Sequence, residues 1–277
     1  LAFLFVAALC IASSLHTEES ARELFEEFKL NFNKVYESQK EHDFRFRVFQ
    51  QALESIEKLN AESTGASYGI TPFTDMTPKE FQVKMLTRRG RTAKDLPRAD
   101  MSSCAASARF PELCVQGNET NMDWRQYGAV TGVKDQGQCG SCWSFGTTGD
   151  LEGSTYLSGS SLIPLSEQQL VSCDKADSGC NGGLQENAFD YIIRVGGIQS
   201  ESDYPYTSGH GIVPSCSVNT NKFVANMSKW VQVSDSADGE DAMKSYCMKN
   251  GPITIGINAN NMQYYKGGID DPAKCPA

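Results

Sequence analysis

The sequence predicts an α+β fold with two sub-domains, on three observations. Apolar residues recur at helical spacing through the front of the chain. Helix signals return between about residues 142 and 195, and beyond Lys222 the texture turns β-like. Helices first and strands later is the pattern of an α+β chain, and 277 residues suffice for one large domain or two modest ones.

Taken in order, the chain opens on Leu1 to Ala12, uncharged and apolar, followed by Ser13 and Ser14. Such a run is too short for a bilayer span, which needs roughly 20 residues, but suits the core of a secretory signal over residues 1–16. The usual Met and basic start are not in this sequence, which reads as one that begins late. Residues 17–87 are helical in pattern. Ser20 with Glu23 and Ser38 with Glu41 read as capping boxes. Behind them come Leu24, Phe25, Phe28 and Phe32, then Phe44, Val48, Phe49, Leu53, Ile56 and Leu59. Residues 88–117, basic at first and short of apolar periodicity, read as an exposed linker open to proteolysis.

In residues 118–277, Cys142–Leu157 predicts a helix stopped by Gly159. Ser166 and Gln169 cap a short one, and Leu184–Val195 ends at Gly196 and Gly197. Trp230–Val233 and Ile253–Ile257 predict strands. No internal repeat or low-complexity tract occurs.

Composition excludes some functions. Lys+Arg is 25 against Asp+Glu 34, a net charge of -9 and a pI of about 4.9, so the surface repels phosphate backbones and nucleic acid is not an expected partner. With 40% hydrophobic residues the chain is too apolar for disorder. No later apolar stretch approaches membrane length, so no membrane partner is expected. The 10 cysteines (Cys10, Cys104, Cys114, Cys139, Cys142, Cys173, Cys180, Cys216, Cys247 and Cys275) suit disulfides in an oxidising compartment.

The chemistry concentrates in Gln136-Gly-Gln-Cys139-Gly-Ser-Cys142-Trp143-Ser-Phe145. Cys142 opens a predicted helix, where free N–H groups and the helix dipole favour a thiolate, the nucleophile for acyl transfer. Gln136 could join the Cys142 backbone N–H as donor to an oxyanion. Three other readings compete. Cys139-x-x-Cys142 could be a redox pair, but that motif follows a strand in a βαβ unit, and a Gly-rich stretch precedes it here. Zinc would need a second close ligand pair, while Cys173 and Cys180 stand seven apart. A structural disulfide at Cys139 is compatible with Cys142 as nucleophile.

QGQCGSCWSF, SEQQLVSC (166–173), GCNGG (179–183) and DYPY (203–206) together resemble the papain-like cysteine proteases of the cathepsin L and F kind. Glu41, Arg45, Phe49, Ile56 and Asn60 fit that family's interspersed ERFNIN pattern, with Ala52 replacing the middle Asn. Gly69, Phe73 and Asp75 fit three of four GNFD positions, with Thr71 in place of Asn. The resemblance implies a zymogen with a helical nucleophile sub-domain and an antiparallel β-barrel sub-domain behind a helical inhibitory pro-peptide. It makes Cys142 the nucleophile and Gln136 the oxyanion donor, with disulfides Cys139–Cys180 and Cys173–Cys216. Gly182 and Gly183 would bond an extended peptide, and Leu184, Gln185 and Gly256 would line a pocket for an apolar side chain. It implies no metal or cofactor. Partners would be peptide or protein substrates, the chain's own pro-peptide and cystatin-like inhibitors, acting on a monomer in a lysosome, vacuole or outside the cell.

The chain departs from the family at its general base. Its histidines are His16, His42 and His210. The family places its base roughly 130–150 residues past the Cys, a window opening near the last residue, Ala277, and the family's later Asn-Ser-Trp tract is missing. The expectation is a sequence cut short inside the second sub-domain, lacking the catalytic His and Asn, with His210 a weak substitute; this exact polypeptide is expected to be unstable and inactive and the full-length protein to be a peptidase. A non-catalytic binding or inhibitory homologue and a thiol–disulfide oxidoreductase are the rival readings. Cys104 and Cys114 could close a local loop, and Cys247 could pair with Cys275. Asn118-Glu-Thr120 and Asn226-Met-Ser228 are N-glycosylation sequons.

Overall fold

A computed structural model describes residues 17–86, 96–114, 121–236 and 239–270. The apolar leader 1–16, Asn118 and Cys275 lie outside the described residues. The chain divides into two compact units, Leu1–Phe81 with Asn258–Ala277, and Gln82–Ile257.

The first unit is built on α1 (Glu18–Asn31) and α2 (Gln39–Glu62). Thr17, not Ser20, caps α1: its hydroxyl accepts the Ser20 N–H at 3.2 Å. The expected Ser20–Glu23 box therefore does not form, because the helix starts one turn earlier, with Glu18 and Glu19 favourably at the positive end of its dipole. Ser38 caps α2 as expected, accepting the Glu41 N–H at 3.2 Å, while the Glu41 carboxylate accepts the N–H of Glu37 at 3.4 Å. The helices meet through aromatic rings: Phe49 packs on Phe25 and Phe28, with centroids 5.2 and 5.1 Å apart. Each such pair contributes about 1 kcal/mol beyond burial. Phe49 and Ile56 are buried, and Asn60 clamps the backbone of Tyr68 from both sides, accepting its N–H at 2.8 Å and donating to its carbonyl at 2.9 Å.

That clamp sets β1 (Ala66–Tyr68), which pairs antiparallel with β4 (Tyr265–Gly268). Gly69 continues the pairing by donating to the Tyr264 carbonyl, and Thr71 donates its hydroxyl to Gln263. Helix α3 (Pro78–Met85) follows; Phe73 packs on Phe81, and Arg45 of α2 bonds both Glu80 and the carbonyl of Asp75. The Asp75 carboxylate is buried between Lys34 at 3.1 Å and the Tyr36 hydroxyl at 3.0 Å. Burial and the Asp75 charge push the Tyr36 phenol far above its ordinary value, so it stays a donor.

The second unit packs three helices, α4 (Cys142–Leu157), α5 (Glu167–Cys173) and α6 (Gln185–Val195), around Trp143, Leu151, Leu170, Ile192 and Ile198. Ser166 caps α5 through the Gln169 N–H at 3.0 Å, and Gly196 ends α6 in the left-handed region at φ 90°. The Gln169 side chain does not reach back into a capping box. It binds Gly197 and Gln199, docking α5 on β2 (Ile198–Gln199), which pairs with β3 (Phe223–Ala225).

Among the described residues, the two strands expected at Trp230–Val233 and Ile253–Ile257 do not form. Trp230–Val233 makes only a single bridge, Gln232 to Arg98, and Ile253–Ile257 is irregular, with Ile255 and Ile257 exposed. An alternating pattern decides which face a strand would bury, but a strand also needs a paired neighbour, and no described segment pairs with this one. The expected exposed linker is likewise partly packed. Cys104 and Cys114 form a disulfide, and Ala106 and Leu113 are buried against Trp124, Ala129 and Leu157. Asn250, at the end of α7 (Glu240–Asn250), accepts the Ala105 N–H at 2.9 Å. Cys247 is a free thiol.

Two consequences can be measured. Asp75→Ala strands the Lys34 ammonium in a dry site and should cost about 3–5 kcal/mol, read as loss of helical circular dichroism in urea; Lys34→Met/Asp75→Leu should recover most of it. An unchanged midpoint would mean the pair carries no net weight. Lys134, which lies between the buried Glu152 and Glu167 at 2.6 and 2.5 Å, supplies the second. Lys134→Met leaves both acids able to stay folded only when protonated. Unfolded Glu ionises near pH 4.5, so the variant's stability should fall steeply as pH rises above that, by about 3 kcal/mol. A tryptophan-fluorescence melt with the wild-type pH profile would contradict this.

Candidate active site

Cys142 is the first residue of α4, free and exposed. Desolvation by the surrounding protein raises its thiol above the ordinary value. The N–H groups of Trp143 and of Cys142 itself push the other way, and no cationic side chain joins them. An exposed thiol at a helix start is placed for nucleophilic attack, while full activation needs a cation or base beside it.

The approach to Cys142 is a loop held by its own hydrogen bonds. Asp135 accepts the Gly137 N–H at 2.8 Å. Gly137 adopts φ +61°, and a Cβ there would fall 2.4 Å from the Gly209 carbonyl oxygen, so only glycine fits. The Gln136 side-chain amide donates to the Cys139 carbonyl at 2.7 Å, spending one of its two N–H groups inside the loop. Tyr206 donates its hydroxyl to the Gln136 carbonyl at 3.0 Å and contacts the Ser141 hydroxyl at 2.8 Å.

Cys139 is bonded to Cys180 rather than to Cys142, and Cys173 to Cys216. The Gly140 N–H donates to the Cys180 carbonyl at 2.9 Å, and the Trp143 indole N–H to the Gly179 carbonyl at 3.2 Å. These contacts bind turn 178–183, which carries Gly182 and Gly183, to the start of α4. A Cβ on Gly183 would lie 2.7 Å from the Trp143 ring and 2.7 Å from the Asp177 carboxyl carbon. Leu184 is buried, with its N–H held by Asp177 at 3.0 Å. Gln185 donates to the Ile255 carbonyl at 3.4 Å, bringing it beside the exposed Gly256.

His210 is the exposed last residue of a short turn, Ser208–His210, whose Ser208 is buried and which packs on the loop through Gln138 N–H to the Gly209 carbonyl at 2.7 Å; no hydrogen bond joins the imidazole to Cys142. Asn226 is exposed just past β3. Among the described residues, no cluster of three or more His, Cys, Asp or Glu could hold a metal ion, and no helix is long and apolar enough to cross a membrane.

Three acids went unread in the sequence. Asp150 on α4 is half-buried, accepts the Thr254 N–H at 3.1 Å, and is pushed up to about 6 by loss of solvent around its carboxyl group. Asp174 and Asp177 lie side by side in the loop before the Gly182–Gly183 turn. Acidic residues read as solvated unless something marks them as buried. For Asp150 that mark was its position on a helix between Gly149 and Leu151, which carries little other charge.

Residues 118–277 match the model of the papain family of cysteine proteases, and residues 25–81 that of the cathepsin propeptide inhibitor domain. A cysteine proteinase of Trypanosoma brucei brucei is 41% identical over 96% of this chain, which spans 58% of that protein's length. The probable cysteine protease RD19B of Arabidopsis thaliana is 42% identical over 92% of this chain and 70% of its own. Among solved structures, the procathepsin L2 proteinase of Tenebrio molitor larval midgut superposes with a TM-score of 0.73 at 29% identity, covering 92% of this chain and 81% of its own. A recombinant stem bromelain precursor gives 0.69 at 32% identity, covering 90% and 76%. With a free cysteine at the head of α4, a disulfide-tied glycine turn beside it and a propeptide domain in front, the chain belongs to the papain family of cysteine proteases.

Proposed function

We propose that the chain is the zymogen of a cysteine endopeptidase. The observation that carries this reading is the exposed, unpaired Cys142 at the start of α4, with its neighbour Cys139 locked to Cys180. The Cys142 thiolate attacks a peptide carbonyl; the oxyanion takes hydrogen bonds from the Cys142 N–H and the remaining Gln136 amide N–H; the amine leaves; and water hydrolyses the thioester. Gly182 and Gly183 offer backbone bonds to an extended peptide, while Leu184, Gln185 and Gly256 favour an apolar side chain. No metal or cofactor takes part.

Residues 17–87 act as an intramolecular inhibitor, removed by cleavage within 88–117 to leave 118–277 as the peptidase domain. The cysteine content and the apolar leader favour the secretory route, to a lysosome, a vacuole or the exterior. There Asn118 and Asn226 would be glycosylated, and the monomeric peptidase would meet cystatin-like inhibitors. The general base is the open position of the catalytic set, since His210 is the one histidine after Cys142 in this sequence and does not bond it.

Labelling the acid-processed protein with a thiol-reactive peptidyl epoxide, beside hydrolysis of a fluorogenic peptide, tests the reading. One rapidly labelled thiol is expected, lost in Cys142→Ala together with at least about a thousandfold of the hydrolysis shown by the full-length enzyme, which supplies the general base. Labelling without hydrolysis would instead support a binding or inhibitory homologue. Two exchanging thiols, Cys139 and Cys142, would support an oxidoreductase. Separately, Gly183→Ala drives a methyl into Trp143 and should cost about 1–3 kcal/mol, visible as a lower melting temperature and weaker peptide binding; wild-type values for both would remove Gly183 from the site.

A further inference from the structure

Asp174 and Asp177 present a problem in hydrogen-bond accounting. Asp174 is buried, and its Oδ1 accepts the Ala176 N–H at 2.9 Å. Asp177 Oδ1 accepts the Leu184 N–H at 3.0 Å and the Asn187 side-chain amide at 2.9 Å. The Oδ2 atoms of both are buried with no hydrogen-bond partner, and the two carboxyl groups are near enough in this short loop for each to act on the other's ionisation. Two ionised carboxylates are acceptors only and cannot bond one another. A contact between them holds only if one keeps its proton and donates it.

The surrounding charges do not replace that proton. Arg194, on α6, is the cation acting on Asp174, and the two carboxyl groups together outweigh it; Glu186 on the same helix adds a further negative charge toward Asp177. Tyr191 of α6 also faces Asp174, itself pushed up chiefly by burial and so neutral. Lys175, in the loop, spends its ammonium on the Ser172 carbonyl at 2.7 Å. From α4 the uncharged Trp143 ring closes on the same Gly183 position as the Asp177 carboxyl group. Burial, more than any one neighbour, keeps Asp174 protonated, and it is pushed up to about 6.

We propose that Asp174 and Asp177 share one proton, and that this proton positions the Gly182–Gly183 turn for an extended peptide. Asp177 is the mechanical link. Its carboxyl carbon is one of the atoms that a Cβ on Gly183 would strike, and its Oδ1 holds the N–H of Leu184, the next residue. When the proton leaves to solvent, two adjacent anions repel, and Asp177 can relieve that only by moving the group that anchors Leu184 and flanks Gly183. Asp174 and Asp177 are thus positioning residues, effective in acid and weakened near neutrality. The inference rests on the reading of Gly182–Gly183 as the peptide-docking segment.

The sign follows from linkage. Unfolded Asp ionises near 3.8, while the folded pair keeps its proton to higher pH. The folded state therefore binds more protons, and stability drops as pH rises through that window.

The test uses the full chain carrying Cys142→Ala. Its unfolding equilibrium should shift by roughly tenfold more between pH 4 and 7 than that of the same chain with Asp174→Asn. Protection of the Leu184 amide from hydrogen exchange, corrected for intrinsic rate, should fall over the same range in the Asp174 protein and stay level in Asp174→Asn. Identical pH profiles would overturn the shared proton, and differing profiles with unchanged Leu184 protection would overturn its positioning role. If Asp174→Asn does not fold, carboxyl carbon-13 titration of the Cys142→Ala chain decides: a coupled step above pH 5 supports the pair, and independent ionisation near pH 4 overturns it. In the processed enzyme KM should rise several-fold from pH 5 to 7 while kcat changes less, and Asp174→Asn should flatten that rise. Absence of any hydrolysis would defeat the proposed activity and leave the proton-sharing result standing.

Discussion

The second unit depends on a lysine held where a lysine should not be. Lys134 brings its ammonium between two carboxylates, Glu152 on α4 and Glu167 on α5, both almost wholly withdrawn from water. Glu152 also accepts the Leu165 N–H and the Thr131 hydroxyl, and Glu167 takes the Thr148 hydroxyl. One cation thereby fixes two helices and the segment that leads, two residues later, to Gln136. Taking such charges out of water is expensive, so the arrangement favours a single geometry more than it favours raw stability. The loop before Cys142 inherits that geometry and needs little of its own beyond the Asp135 bond and the disulfide.

The first unit solves the same problem with the signs reversed. There the buried charge is Asp75, satisfied by Lys34 and Tyr36, while its carbonyl is taken by Arg45. Around it the aromatic stack of Phe25, Phe28 and Phe49 supplies bulk, and Asn60 supplies register for β1. Polar residues at fixed spacing along α2 thus act as joints to the segments that follow, each satisfying a backbone or charge that packing alone would leave orphaned.

How much of this was legible followed the range of the interactions. The limits of α4 and α6 could be read because their signals are local: a cap, a periodic face and a glycine stop. Ser38 and Ser166 were readable for the same reason, whereas Ser20 was misplaced because Thr17, three residues before, makes the same bond with a better start. Strands failed. The partner of Tyr68 is Tyr265, nearly 200 residues away, and nothing in either short segment announces the other; the better-looking run at Ile253 pairs with nothing described. The papain-family motifs pointed to Cys142 and the glycine turn, while the buried acids stayed hidden, since a sequence does not display which carboxylates lose water.

The loop closed by Cys104 and Cys114 bears on how a cut molecule comes apart. A peptide bond broken anywhere between those two residues opens the loop without freeing either side, because the sulfur bridge still joins them. The buried Ala106 and Leu113, and the Asn250 bond to Ala105, would keep the nicked ends seated. Fragments from such a cut would travel as one band on a gel without reductant and as two with it. A maturation cleavage that truly releases the front of the chain must fall before Cys104 or beyond Cys114.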